Sequence, residues 1–143
     1  MNLRYMRKED LEQVCAIEQT LFTRPWSRQD FLDVLSKKEN IYLVAEDKEQ
    51  ILGYCGVWGV AGEGHITNVA VKKEYQGRGV GAALLRYTLK EGESRKLDAY
   101  TLEVRVSNHA ALHLYEKMGF HSVGIRKDFY DLPQEDAMIM WKE

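Results

Sequence analysis

T-N-V-A-V-K-K-E-Y-Q-G-R-G-V-G-A-A-L-L, Thr67 to Leu85, passes from a strand through a glycine-rich turn into a helix. Gly77, Gly79 and Gly81 fall within five positions, interleaved with Arg78 and Val80 and followed at once by Ala82 and an amphipathic run. Such a turn leaves backbone N–H groups free and sterically uncovered, and the N–H groups of a helix start carry partial positive charge suited to a phosphate. It is not a P-loop, because no Lys-Ser/Thr follows the last glycine. Nor is it a good dinucleotide fingerprint, since the spacing is G-x-G-x-G and antiparallel-looking strands precede it. What remains is a pyrophosphate site next to an exposed strand backbone at Val69, Ala70 and Val71. The alternative is a tight turn that needs glycine for shape alone.

Upstream, Ile41–Glu46 and Gln50–Val60 read as strands joined by the charged turn Asp47–Glu49. Ala61–Gly64 form a second turn before a strand at His65–Val71, which makes three antiparallel strands in a row. Gly53, Gly56 and Gly59 weaken the middle strand and admit a bulge or the close approach of a ligand, the bulge being the favoured reading. Earlier still, Leu3–Met6 reads as a short strand, and Leu11, Val14, Cys15, Ile17 and Leu21 as a helix behind acidic Glu9 and Asp10. Pro25 and Trp26 break that pattern. Ser27 and Asp30 resemble a capping box opening a helix that buries Phe31, Leu32 and Leu35. Trp26 either plugs the end of the core or touches a substrate.

Downstream, the helix after the glycine turn carries Val80, Ala83, Leu84 and Tyr87 on one face and ends at Gly92–Asp98. Ala99–Val106 is a strand with Tyr100, Leu102, Val104 and Val106 on one face and Thr101, Glu103, Arg105 and Ser107 on the other. Asn108 caps a helix at Ala110–Met118, with Ala111, Leu114, Tyr115 and Met118 inward, and Gly119 closes it. His121–Lys127 and Ala137–Lys142 are the last strands, joined by a loop Asp128–Asp136 whose acids and Tyr130 are expected at the surface. The sum is an α+β or α/β layered domain, a mixed, mainly antiparallel sheet with helices on its faces.

At 143 residues the chain is read as one domain, residues 1–143. Twenty basic against 22 acidic residues give a net charge of −2, so no basic field recruits nucleic acid. Cys15 and Cys55 lie in apolar runs without C-x-x-C spacing and read as small buried hydrophobes of a reducing, cytoplasmic compartment. Met1–Arg7 is too short and polar for a signal peptide, and the longest uncharged run, Ile51–Gly62, is too short to span a bilayer. His65, His109, His113 and His121 are scattered, so no metal site is expected.

Two side chains are out of place for a plain core. Glu103 sits on a strand expected to be central, where a carboxylate needs water, a partner or a substrate; it is a general base or half of a salt bridge. Tyr115 points inward although its phenol requires a hydrogen-bond partner; it is a core tyrosine or a general acid. Asn108 needs no role beyond its cap, though its amide can also meet a ligand. His65 reads as structural or substrate-contacting rather than catalytic; Arg126 and Lys127 next to Tyr130 are a small basic-aromatic patch or, by default, solvated surface.

With these residues laid out, the chain resembles the GNAT superfamily of acetyl-CoA-dependent N-acetyltransferases. Gln76–Ala82, Q-G-R-G-V-G-A, matches that superfamily's Q/R-x-x-G-x-G/A phosphate loop, and N-V-A-V the strand before it. Phe22–Ser27, Gly62–Val71, Leu102–Asn108, Leu114–Phe120 and Glu135–Met140 are similar to the RimI-type ribosomal-protein-alanine N-acetyltransferases, so the likeness spans the chain. The resemblance implies the GNAT acyl-CoA N-acyltransferase fold. It implies that Val69, Ala70 and Val71 offer main-chain groups to the acetyl carbonyl and pantetheine. It implies further that Gly77, Arg78, Gly79, Val80, Gly81 and Ala82 hold the coenzyme A pyrophosphate, with Asn108 a further contact. Glu103 matches the family's proton acceptor and Tyr115 its proton donor. The acceptor so implied is the N-terminal alanine of a small-subunit ribosomal protein. An enzyme for another amine (a protein lysine, a polyamine or a small molecule) and a non-catalytic acetyl-CoA sensor are the rivals.

Overall fold

The computed structural model describes all 143 residues, Met1–Glu143. Its elements run β1 (Asn2–Tyr5), α1 (Leu11–Leu21), α2 (Arg28–Leu35), β2 (Ile41–Asp47), β3 (Gln50–Val60), β4 (Glu63–Val71), α3 (Val80–Ser94), β5 (Ala99–Arg105), α4 (His109–Lys117), β6 (His121–Tyr130) and β7 (Glu135–Lys142). The strands form one seven-stranded sheet in the order β1-β2-β3-β4-β5-β7-β6, antiparallel throughout except where β4 meets β5. α1 and α2 cover one face over Leu11, Val14, Phe31, Tyr42 and Tyr54. The other face packs Leu43, Cys55, Leu84, Leu85, Leu102 and Tyr115 beneath α3 and α4. The layered architecture expected from the sequence, a mixed, mainly antiparallel sheet with helices on its faces, is the one observed.

Two details position the site. β4 pairs with β5 only at Glu63↔Ala99, Gly64↔Tyr100 and His65↔Thr101, and beyond that rung the strands diverge. β4 also bulges: Gly56 faces Asn68 while Val57 faces Ile66, which leaves Thr67 as the extra residue. Thr67 and Asn68 therefore both turn toward the α1 face, where Thr67 Oγ1 lies 2.6 Å from the Tyr42 hydroxyl.

Several sequence boundaries are corrected. Glu63 and Gly64 belong to β4, so the turn is only Ala61–Gly62. The bulge beside Gly56 puts its extra residue on β4; Gly56 itself is needed because a Cβ there would enter the Tyr42 ring. α3 buries Val80, Leu84, Leu85, Thr88 and Gly92, with Ala83 and Tyr87 only at the margin of that stripe. It also runs past Gly92 to Ser94; Gly92 is a packing glycine, since the Tyr100 ring lies where its side chain would be. In α2 the buried pair is Phe31 and Val34; Leu32 and Leu35 are half-buried. The expected loop Asp128–Asp136 shrinks to residues 131–134, because β6 and β7 pair out to Tyr130↔Glu135. Cys15 is half-buried rather than buried.

Candidate active site

The divergence of β4 and β5 opens a cleft of about 520 Å³ that passes from the α1 face into the gap between the strands. Its wall includes Ile66–Val69 of β4, Leu102–Arg105 of β5, and Asn108 and Tyr115 at α4. Glu18, Trp26 and Arg24 border it from α1 and the loop after it, and Tyr130 and Asp131 from the end of β6. Glu103 of β5 and Tyr115 of α4 thus face one cavity.

Main-chain polarity follows from the pairing. Lys72 N–H bonds to Leu52 C=O, 2.8 Å, and Ala70 stands opposite Tyr54. Antiparallel alternation then turns the Ala70 groups toward β3 and leaves the Val69 and Val71 amides facing the gap, where β5 has already departed. Of the three residues expected to offer main-chain groups, Val69 and Val71 are so oriented and Ala70 is not. The Val71 carbonyl accepts from the Gln76 side chain, 2.9 Å, which leaves its N–H as the free group.

The glycine turn delivers an uncapped helix start. Gly77 and Gly79 have φ of 78° and 83°, and nothing stands within 4 Å of a Cβ built on either. The first N–H closed by α3 is that of Ala83, to Gly79 C=O at 3.0 Å, and no side chain caps the helix. The N–H groups of Val80, Gly81 and Ala82 are therefore open to an anion at the positive end of a 15-residue helix. Arg78 lies over the Tyr75 ring, 5.5 Å from guanidinium to centroid. Asn108 Oδ1 accepts from Ala111 N–H at 3.2 Å, so its side chain is the expected cap while its residue also lines the cleft.

The two titratable candidates are tuned in opposite senses. A hydrogen bond from His65 holds the Glu103 carboxyl below its ordinary value, outweighing burial, and Arg126 adds to the effect. Burial pushes the Tyr115 phenol upward, with Cys55 and Tyr130 contributing. One is thereby a standing carboxylate and the other a standing phenol.

Further side chains complete the cleft. Tyr130, expected at the surface, is half-buried; its phenol is pushed up to about 12 by burial and by the Glu103 charge. Arg105 stacks on its ring at 4.4 Å and also bonds Glu135, 3.2 Å. Glu135 is consequently half-buried instead of solvated. Nothing in β6, exposed along most of its length, marks Tyr130 as different. Glu18 did carry a signal: Leu11, Val14, Glu18 and Leu21 share one helical stripe, and a carboxylate on it is 2% exposed. Burial raises its pKa; the Tyr54 hydroxyl, the Trp26 N–H and Asn68 hydrogen-bond it in compensation. Trp26 is half-buried against Phe31, Tyr42 and Trp58, so it both closes the core and walls the cleft. No group of His, Cys, Asp and Glu is placed to hold a metal, and no helix is long and apolar enough to cross a membrane.

The chain is similar to known proteins. The acetyltransferase (GNAT) family profile matches residues 11–120. A Salmonella typhimurium relative named as a ribosomal protein bS18-alanine N-acetyltransferase is 37% identical over 134 residues, covering 92% of this chain and 89% of its own. A Bacillus subtilis relative, provisionally given that name, is 44% identical over 143 residues, covering 97% and 93%. The crystal structure of the ribosomal-protein-S18-alanine N-acetyltransferase from Escherichia coli superimposes with a TM-score of 0.91 at 31% identity, over 99% of this chain and 92% of that one. The divergent strands, the open glycine turn and these full-length likenesses agree: the chain belongs to the acetyltransferase (GNAT) family, on its RimI-type branch, and is an acetyl-CoA-dependent N-acetyltransferase.

Proposed function

We propose that the protein, acting as one catalytic domain in the cytoplasm, moves the acetyl group of acetyl-CoA to the N-terminal α-amino group of a ribosomal protein, an alanine of bS18. The placement of Glu103 and Tyr115 on one cleft at the strand divergence carries the mechanism, and the relatives' names supply the acceptor. The residues fit the coenzyme: an uncapped helix start and side-chain-free glycines suit a pyrophosphate, and free strand amides suit a pantetheine and an acetyl carbonyl. In this reading Gly77–Ala82 hold the pyrophosphate, Val69 and Val71 the acyl arm, and Asn108 a further polar contact.

An α-amino group, with an ordinary pKa of about 7.7–8.0, loses its proton far more readily than a lysine near 10.4. Glu103, kept ionised, takes that proton through a water, and the neutral amine attacks the thioester carbon directly. An N–H of this open edge, that of Val69 or of Val71, receives the charge that develops on the carbonyl oxygen. Tyr115, kept protonated, supplies the proton to the departing thiolate. Cys55, a thiol pushed up to about 11 by burial, takes no part, and no acetyl-enzyme is required.

The test is purified protein with acetyl-CoA and a peptide bearing the bS18 N terminus, read by mass spectrometry beside a lysine peptide with a blocked N terminus and a polyamine. Acetylation of the alanine peptide alone is the expected result. Transfer to the lysine or polyamine instead moves the assignment to another amine. Coenzyme binding with no transfer points to a sensor.

A further inference from the structure

His65 and Glu103 meet where β4 and β5 part. His65 stands on the last rung of their ladder, opposite Thr101, and Glu103 lies two residues beyond Thr101 on the same face of β5. His65 Nε2 is 3.1 Å from Glu103 Oε1 and 3.1 Å from Oε2. The imidazole meets the Trp58 ring edge-on, with centroids 6.0 Å apart at 86°, which fixes the plane in which it approaches the carboxylate. Glu103 lines the cleft; His65 does not, and sits behind it with its side chain 37% exposed against 15% for Glu103. No other side chain hydrogen-bonds this carboxylate.

We propose that His65 is the positioning residue for Glu103: from the last paired rung of β4 its Nε2–H bridges both carboxylate oxygens and holds them facing the cleft. The proposal rests on the reading of Glu103 as the base. A group that takes a proton from a bound amine must be held in one geometry, and a single donor shared by two oxygens fixes the plane of the carboxylate. It also selects the tautomer, with the proton on Nε2 and Nδ1 left as the acceptor. Other charged or titratable groups surround Glu103 without replacing this bond. Arg126 reaches it from β6 only through its charge, Arg105 along β5 is engaged by Glu135, and Tyr130 of β6, Tyr115 of α4 and Glu18 of α1 share the cleft. Without the imidazole donor, burial of the carboxylate is opposed only by Arg126.

Two variants separate the donor from the ring. His65→Phe keeps the planar shape against Trp58 and removes the donor; His65→Gln keeps an N–H donor and removes the ring. Each is checked by its melting curve and its coenzyme Kd, then assayed for kcat. The Glu103 carboxyl is followed by carbon-13 NMR, with its signal assigned by Glu103→Gln. For His65→Phe the expected result is a Glu103 midpoint raised by about one pH unit, kcat lower by about tenfold and coenzyme Kd within about twofold. For His65→Gln, kcat is expected within about threefold of the parent. An unmoved midpoint in His65→Phe, an unchanged kcat, or equal losses in the two variants would overturn the proposal. Full activity of Glu103→Gln would instead sink the assignment of the base, whatever the His65 variants do to the midpoint.

Discussion

At the scale of the residue, the cleft asks opposite things of two titratable groups and burial serves only one of them. Tyr115 needs nothing but burial, which keeps its phenol protonated at any working pH. Replacing it with Phe preserves the ring contact with Phe120, 5.8 Å between centroids, and removes the proton alone. Tyr115→Phe is therefore expected to lower kcat by about 10²-fold with coenzyme Kd changed by less than about twofold, as measured by steady-state kinetics beside calorimetric binding. Glu103 needs more, since burial opposes its charge, and a neighbouring donor restores it. The oddity of both side chains was legible in the sequence because strand and helix periodicities place them on faces where a polar group requires a reason. Tyr130 was not legible. Its place depends on Arg105 arriving beneath its ring from a strand that is not its neighbour in the sheet, which no local pattern encodes.

At the scale of the element, turns and caps were readable because their chemistry is local. Ser27 accepts from Asp30 N–H at 3.1 Å and Asp30 accepts from Ser27 N–H at 2.9 Å, as the spacing indicated. The glycine turn is a second case. Gly79→Ala forces a side chain into φ 83° at the start of α3 and is expected to cost about 1–2 kcal/mol of stability. Its Cβ would also stand beside the open N–H groups, so coenzyme Kd is expected to rise more than the melting curve alone would suggest. Boundaries set by tertiary partners were not readable: Gly92 looked like a helix end and is instead the space in which Tyr100 packs. Nor was the Arg4 junction, where one guanidinium joins Asp10 at 2.8 Å and Glu46 at 2.8 Å, tying β1 and β2 to the start of α1. Burial works to raise the Asp10 carboxyl, and the hydrogen bonds from Arg4 and the Arg7 N–H outweigh it; Arg4 likewise lowers Glu46. Folded values below the unfolded ones mean that this stabilisation is fully present above the ordinary carboxylate range and is lost as pH falls through the depressed values. Melting temperature is accordingly expected to drop below about pH 4, with a shallower acid slope in Asp10→Asn. An equal slope in the two proteins would remove the junction from the account.

At the scale of the whole molecule, two halves of a sheet are joined by three rungs. A ligand lying along the open edge of β4 adds contacts exactly where the sheet itself has few, so coenzyme binding is expected to stabilise the fold by about 2.7 kcal/mol at a hundredfold excess over Kd. Hydrogen exchange gives the sharper check: with coenzyme added, the Val69 and Val71 amides are expected to slow while Ala70, already turned toward β3, changes little. Equal protection of all three would contradict the alternation. The order β5-β7-β6 has a different consequence, for how the chain is made. β6 is synthesised before β7, yet its only neighbour in the sheet is β7. When Tyr130 leaves the ribosome, β6 therefore has no strand to join, and Val123 and Ile125, still exposed in the finished protein, lie on an edge with nothing beside it. Only the arrival of Glu135–Lys142, slotting between two strands already present, gives β6 its one partner strand and β5 its second. The half of the sheet that carries Glu103 is thus assembled from its middle last, and shortening the chain by that one strand would detach two.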